Sequence, residues 1–224
     1  MTNWTYKKGL HDLGNGSFAW LQPDGSWGWN NAGLVTDGDE SLLVDTLFDL
    51  NQTEYMLAAM QNVAPRGKAF KAVVNTHANG DHCWGNQLVK DSEIIASEKG
   101  AMEMAEFRPE HMAKLMKVAR VIVKMGKTGE LLARAFGVVG IDKLRALCTA
   151  APFVYEIFAD FDFDGIELTA PTLTFNDHLD VSIGGKSVEL LEVGPAHTKG
   201  DILVWVPDDQ VVFSGDILFI EGHP

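Results

Sequence analysis

Two imidazoles and a carboxylate fall within six consecutive residues, His77-Ala78-Asn79-Gly80-Asp81-His82, directly after a Val-rich apolar run. Neutral imidazole nitrogen and carboxylate oxygen are donors that Zn²⁺ and Fe²⁺ accept, and a loop leaving a strand can turn several side chains toward one point. A metal-binding loop accounts for this density of donors. The alternative is a polar turn with Asn79-Gly80 at its tip. Two further donors lie far along the chain: His197, in the turn Val193 to Asp201, and Asp216, which closes Phe213-Ser214-Gly215-Asp216. Taken singly, a loop histidine reads as a solvated or capping residue and Gly-Asp after a strand as a turn.

The elements that must position these residues can be read from periodicity and punctuation. Ser17 to Gln22 and Trp29 to Thr36 read as strands, separated by the turn Pro23-Asp24-Gly25-Ser26, with Asp37-Gly38-Asp39 as a second turn. The compact apolar run Ser41 to Thr46 follows. Asn51 to Asn62 suits an amphipathic helix starting near Thr53 and ended by Pro65 and Gly67. Ala69 to Asn75 returns to a buried strand, which makes a strand, helix, strand succession of the α/β type. Between Ser97 and Ala150 the texture becomes helical and holds Met102, Met104, Met112, Met116 and Met125, five of the eight methionines. From Phe161 the chain is β again, with strands at Thr172 to Phe175, Leu179 to Ile183, Ser187 to Val193, Ile202 to Val206 and Gln210 to Ser214. Gly184-Gly185 and Asp208-Asp209 mark hairpin turns between them. The expected organisation is one domain over residues 1–224 with a helical insertion at about 98–151.

Composition narrows the partners. The chain has 224 residues, is 46% hydrophobic and carries a formal charge of -13, so its surface repels phosphate backbones and anionic membranes. Neither nucleic acid nor a membrane is expected as a partner, and a small molecule is. Cys83 and Cys148 are the two cysteines, too far apart in context to suggest a disulfide framework. Gly9, Gly14, Asn15 and Gly16 interrupt any apolar leader segment, and no run approaches the roughly eighteen apolar residues of a membrane span. The expected location is cytoplasmic.

In their order, His77, Asn79, Asp81, His82, His197 and Asp216 resemble the metallo-β-lactamase superfamily, whose signature is a His-x-His-x-Asp-His loop followed by a His and an Asp. The resemblance extends to Trp29 to Thr46, which looks like the family's early strand pair ending in Val-Asp-Thr, and to Gly85-Asn86 after the loop. It implies an α/β fold, a four-layer αβ/βα sandwich with the site at one edge between two sheets. It also implies metal ligation by His77, His197 and Asp216 at a first site, and by Asp81, His82 and a bridging Asp216 at a second. The implied cofactor is zinc, one or two ions, with iron as the alternative. Two departures stand out. Asn79 replaces the second signature His, and an amide oxygen is a far weaker ligand than an imidazole. The family's late His is matched only by His223, in a Gly222-His223-Pro224 setting that fits poorly. With eight residues after Asp216, a truncated second half is expected, with exposed apolar sheet surface and self-association as consequences.

The resemblance implies a hydrolase acting through a metal-activated water on an ester, thioester, lactone, lactam or related bond. Asp81 is then the catalytic candidate, orienting the water and moving its proton if it does not ligate. Asn75, Thr76, Asp45 and Thr198 are the candidates to fix the imidazole tautomers. A mononuclear iron dioxygenase of the persulfide dioxygenase type, on a facial triad of His77, His197 and Asp216, is an alternative. A metal-poor, non-catalytic homologue is another. Trp84 either walls the site or packs beneath it, Cys83 reads as a small buried thiol, and the Met-rich helices read as core before lid. The acidic run Asp160 to Asp164 lacks calcium-loop spacing and reads as a turn with buried phenylalanines. His11, His111 and His178 read as surface or capping residues.

Overall fold

A computed structural model of the protein describes residues 6–23, 26–126, 128, 131, 135–136 and 141–219. The turn at Asp24-Gly25 and His223 lie outside the described residues. The chain divides into two compact units, residues 1–108 with 166–224, and residues 109–165.

The larger unit begins with β1 (Gly9–Gly14), β2 (Ser17–Leu21), β3 (Ala32–Asp37) and β4 (Glu40–Val44), an antiparallel meander. β1 pairs with β2 across Asn15 and Gly16, both at positive φ (55° and 86°), a turn dipeptide suited to that conformation. Helix α1 (Leu50–Met60) crosses to β5 (Ala72–Val74), which pairs in parallel with β4. The helix starts earlier than expected from Thr53, because Asp49 caps it through Gln52 N at 2.8 Å. Thr53 instead lies buried inside the first turn, its hydroxyl donating to Asp49 O at 2.7 Å. After a short helix α2 (Gly80–Cys83) and a 3₁₀ turn (Asn86–Val89), β6 (Glu93–Ser97) and, much later, β7 (Leu173–Phe175) complete the seven-stranded sheet in the order β1-β2-β3-β4-β5-β6-β7. Between β6 and the smaller unit stands α3 (Glu98–Glu106), capped by the Ser97 hydroxyl.

A second, antiparallel sheet has the order β11-β10-β9-β8, from β8 (His178–Ile183), β9 (Lys186–Glu192), β10 (Ile202–Val206) and β11 (Val211–Phe213). Period-two burial along β10, with Ile202, Val204 and Val206 inward, is what a sheet with one core face requires. These residues meet Val35, Leu42, Val44, Ala72, Val74 and Ile95 of the large sheet in one core between the sheets. On the large sheet's other face, Leu34, Leu43, Val73 and Ile94 pack with Met56 and Met60 of α1. The unit is thus layered as helix, sheet, sheet. Leu191, Leu203 and Trp205, on the outer face of the second sheet, are only partly buried.

The smaller unit contains α4 (Pro109–Met125) and α5 (Asp142–Phe158), packed against each other. Met116 in it is buried while Met125 is exposed, so the methionines of this stretch do not share one role. Phe161 and Phe163 are buried and Lys117 pairs with Asp164 at 2.7 Å, which leaves the acidic run as a turn anchored by its phenylalanines.

Candidate metal centre

The donors lie on connections that leave strands: His77 in the loop after β5, Asp81 and His82 in α2, His197 in the turn between β9 and β10, and Asp216 in the turn after β11. β5 is three buried residues between parallel neighbours, and its ladder continues past its end: Asp45 N donates to Val74 O at 2.8 Å and Asn75 N to Ile95 O at 2.9 Å. The chain is therefore held taut as it enters Thr76 and His77, both 1% exposed. Asn75 ties the loop together, donating to His82 O at 2.9 Å and accepting from Asn86 Nδ2 at 2.8 Å. Gly80 lies so close over the Trp84 indole that a Cβ there would sit 2.4 Å from the ring, and Trp84 stacks on Phe48 at 5.1 Å. Trp84 thus packs beneath α2.

Asp45, at φ 63° just after β4, is the buried carboxylate around which this loop is organised. Its Oδ1 accepts from Thr76 N at 2.7 Å; its Oδ2 accepts from the Thr76 hydroxyl at 2.7 Å and lies 2.9 Å from His82 Nδ1. Because the Thr76 hydroxyl donates to Asp45, its oxygen is left to accept from His77 Nδ1, 3.1 Å away. Both imidazoles are thereby fixed through Nδ1, with Nε2 turned the other way. Of the four tautomer-fixing candidates, Asp45 and Thr76 are the two that reach these rings.

The second sheet brings the remaining donors. Asp201, 1% exposed at the start of β10, accepts from Ala196 N (3.1 Å), Thr198 N (2.8 Å) and the Thr198 hydroxyl (3.0 Å), which shapes the turn bearing His197. The sequence places Asn86 only in the resemblance and Asp201 only at the end of the His197 turn, and assigns neither a role; the signal for Asp201 is a Gly-Asp pair directly before an apolar run. Asp216 sits in the 3₁₀ turn Gly215–Ile217 after β11. Gly215 is at φ 49°, and a Cβ there would lie 2.5 Å from Thr76 Oγ1, so this glycine lets the turn close against the first-sheet loop. Ile202 N donates to Thr76 O at 2.8 Å and joins the two sheets at the same point.

His77, His82 and Asp216 converge: one donor atom from each lies within 4.8 Å of the others. His82 Nε2 is 3.2 Å from Asp216 Oδ1 and 3.8 Å from Asp81 Oδ2. His197 Nε2 is 3.7 Å from Asp216 Oδ2, and its ring lies 5.1 Å from that of His77. Asn79 Nδ2 is 2.9 Å from His197 Nε2. The six residues singled out in the sequence are therefore neighbours, although His197 and Asp81 stand at the margin of the tight trio. His11 meets Lys7 O and His178 pairs with Asp180 at the surface, away from this cluster.

The Nε2 atoms of both His77 and His82 are buried; that of His77 has no hydrogen-bond partner, and that of His82 faces the Asp216 carboxylate at 3.2 Å. A buried imidazole nitrogen without a partner, as at His77, is costly in a protein interior, and a cation with borderline ligand preference between the two rings and the Asp216 carboxylate would satisfy it. The donor set fits a divalent transition metal. The electrostatics divide the two rings. Burial holds His77 well below the ordinary histidine pKa, assisted by the charge of His82. Burial would lower His82 too, but Asp45, Asp81 and Asp216 outweigh it and hold His82 well above that value. For Asp216, burial is opposed by His82, His77 and His197, which bring its carboxyl down to about 2. Burial raises Asp81, and raises the Cys83 thiol, which stays protonated and donates to Asn79 O at 3.3 Å.

A double-sheet α/β unit that gathers His and Asp side chains at the strand ends of both sheets defines a metal-binding fold class, and comparison with known proteins places it. Residues 26–224 match the family model of the metallo-beta-lactamase superfamily, and the chain belongs to that superfamily. It is 27% identical over 178 residues to a linear primary-alkylsulfatase of Pseudomonas sp. (strain ATCC 19151), an alignment covering 79% of this chain and 31% of the relative. The chain thus spans about a third of that relative's length. Among solved structures, a metallo-beta-lactamase from Pontibacter korlensis is similar at a TM-score of 0.58 and 16% identity, covering 93% of this chain and 71% of the other. A double mutant of the sec-alkyl sulfatase PisA1 is similar at a TM-score of 0.61 and 15% identity, covering 93% and 31%. These likenesses show the α/β sandwich fold expected from the sequence, of which the described residues of the larger unit form three layers, helix, sheet and sheet. Among the described residues, no helix is long and apolar enough to cross a membrane.

Proposed function

We propose that the protein is a metal-dependent hydrolase, with zinc held by His77, His82 and Asp216 and with Asp81 and His197 bordering the ion. The observation that carries this reading is the convergence of the His77 and His82 Nε2 atoms on the Asp216 carboxylate, with the buried Nε2 of His77 lacking any partner. A divalent cation held there lowers the pKa of water toward neutrality and polarises the substrate. The chain's own residues do the rest. Asp45 and Thr76 orient both rings so that Nε2 faces the centre, and His82, held above its ordinary pKa without metal, would give up a proton to ligate. Asp216, a carboxylate down to about pH 2, stays ionised throughout the neutral range. Asp81 Oδ2, 3.8 Å from His82 Nε2 with its carboxyl pKa raised by burial, is the proton acceptor.

Superfamily membership and the alkylsulfatase relative support hydrolysis as the reaction type. They also make sulfate esters the first substrate class to test, ahead of carboxylic esters, thioesters, lactones and lactams. The experiment is elemental analysis of the purified protein followed by that substrate panel with and without chelator. The expected result is zinc-bearing protein with chelator-sensitive turnover that falls by about 100-fold or more in His77→Ala. Protein that binds no metal at neutral pH overturns the reading. Iron with oxygen uptake in place of hydrolysis replaces it with the dioxygenase reading.

A further inference from the structure

Asn79 stands where the superfamily signature has a histidine, and its side chain has found a specific partner. Its amide nitrogen is 2.9 Å from His197 Nε2, the same nitrogen that faces Asp216 Oδ2 at 3.7 Å. The Asn79 backbone is pinned as well: it stands at the N-terminus of α2, where its carbonyl accepts from His82 N at 3.0 Å and from the Cys83 thiol at 3.3 Å. In either amide orientation this contact uses the metal-facing atom of His197. If the amide donates, it occupies the lone pair; if the amide oxygen faces the ring, Nε2 must carry a proton. His77 and His82 are instead fixed through Nδ1, and the buried Nε2 of His77 has no partner while that of His82 faces Asp216, a member of the same cluster, at 3.2 Å. The close trio is accordingly His77, His82 and Asp216, drawn from both ligand sets that the family pattern would keep apart.

We infer that Asn79 sets the metal count at one: it engages His197 and leaves a single tight cation site on His77, His82 and Asp216. This inference rests on the proposed metal binding, but concerns stoichiometry and ligand identity and not turnover. His197 then acts at the rim of the centre, as a group held by Asn79, and not as a ligand on which retention of the ion depends.

The test is titration of chelator-stripped protein with Zn²⁺ alone, read by calorimetry and by elemental analysis after dialysis, with circular dichroism to confirm folding. Wild type should take up one equivalent per chain. His82→Gln and His77→Gln should each weaken binding by about 100-fold or more, whereas His197→Gln should keep one equivalent within about 10-fold of the wild-type affinity. Asn79→His, which removes the amide and restores an imidazole, should add a second equivalent. Two equivalents in wild type, or loss of the ion in His197→Gln with retention in His82→Gln, would overturn the inference. Should a glutamine variant fail to fold, the Asn79→His stoichiometry decides. One equivalent without hydrolysis of any substrate would sink the hydrolase reading and leave this one standing; two equivalents with hydrolysis would do the reverse.

Discussion

His77 and His82, from the loop after β5, are 1% exposed and tied through Thr76 and Asp45, whereas the His197 and Asp216 side chains from the second sheet are 23% and 24% exposed. The first pair comes from one contiguous loop whose hydrogen bonds run inward to the end of β4. The second pair comes from two separate turns, each shaped by its own local contacts: Asp201 under His197, and Gly215 against Thr76 beside Asp216. The contrast teaches how such a centre divides its labour. The buried half fixes ring orientation, because unpaired groups there have no water to turn to. The partly open half faces solvent, and substrate can reach the centre only from a side that solvent reaches.

Substitutions can break this contrast in graded steps. Asp45→Ala should be the most damaging, since it strips partners from Thr76 N, the Thr76 hydroxyl and His82 Nδ1 at once. Breaking a buried pair of this kind costs about 3–5 kcal/mol, measurable as a fall in the urea midpoint together with lost metal binding. An unchanged midpoint would show that Asp45 is not the organiser of the loop. Gly215→Ala joins the two halves in one test: it introduces a Cβ 2.5 Å from Thr76 Oγ1 at a φ of 49°. Overpacking with backbone strain should cost about 1–3 kcal/mol and weaken metal binding, and a neutral result would mean the Asp216 turn moves freely.

A smaller effect is expected for Asp201→Ala, about 1–2 kcal/mol, because water can reach the partly buried amides it leaves behind. Its signature should be local, with faster amide exchange at Ala196 and Thr198 while the His77 loop stays protected. The smallest effect concerns pH. The Asp216 carboxyl is at about 2 in the folded protein against an ordinary value of 3.8, so it contributes stability above 3.8 that is lost as pH falls through about 2. Metal-free Asp216→Asn should therefore show a flatter stability curve between about pH 4 and 2 than metal-free wild type. Identical curves would contradict the pairing of Asp216 with the imidazoles.

Much of the scaffold was legible because burial imposes periodicity. Ile202 to Val206 reads as a strand, and it is one with those limits and with alternate residues inward. Gly184 at φ 59° turns β8 into β9 where a Gly-Gly turn was expected. Other features were hidden by competing local signals. Gly14, Asn15 and Gly16 read as interruptions of a leader, yet Asn15-Gly16 is the turn that pairs β1 with β2. Thr53 looked like a helix start, while Asp49 holds that place because its carboxylate reaches Gln52 N.

Residue types and their order determined that donors suited to a borderline metal cluster near the ends of apolar strands, since ligand chemistry and strand periodicity are both properties of local sequence. Which nitrogen of which ring faces the centre was decided only by the fold. That choice is set by hydrogen-bond partners 37 positions away for His82 and 118 away for His197; the parallel pairing of β4 with β5 brings the first within reach, and packing the two sheets around one core brings the second.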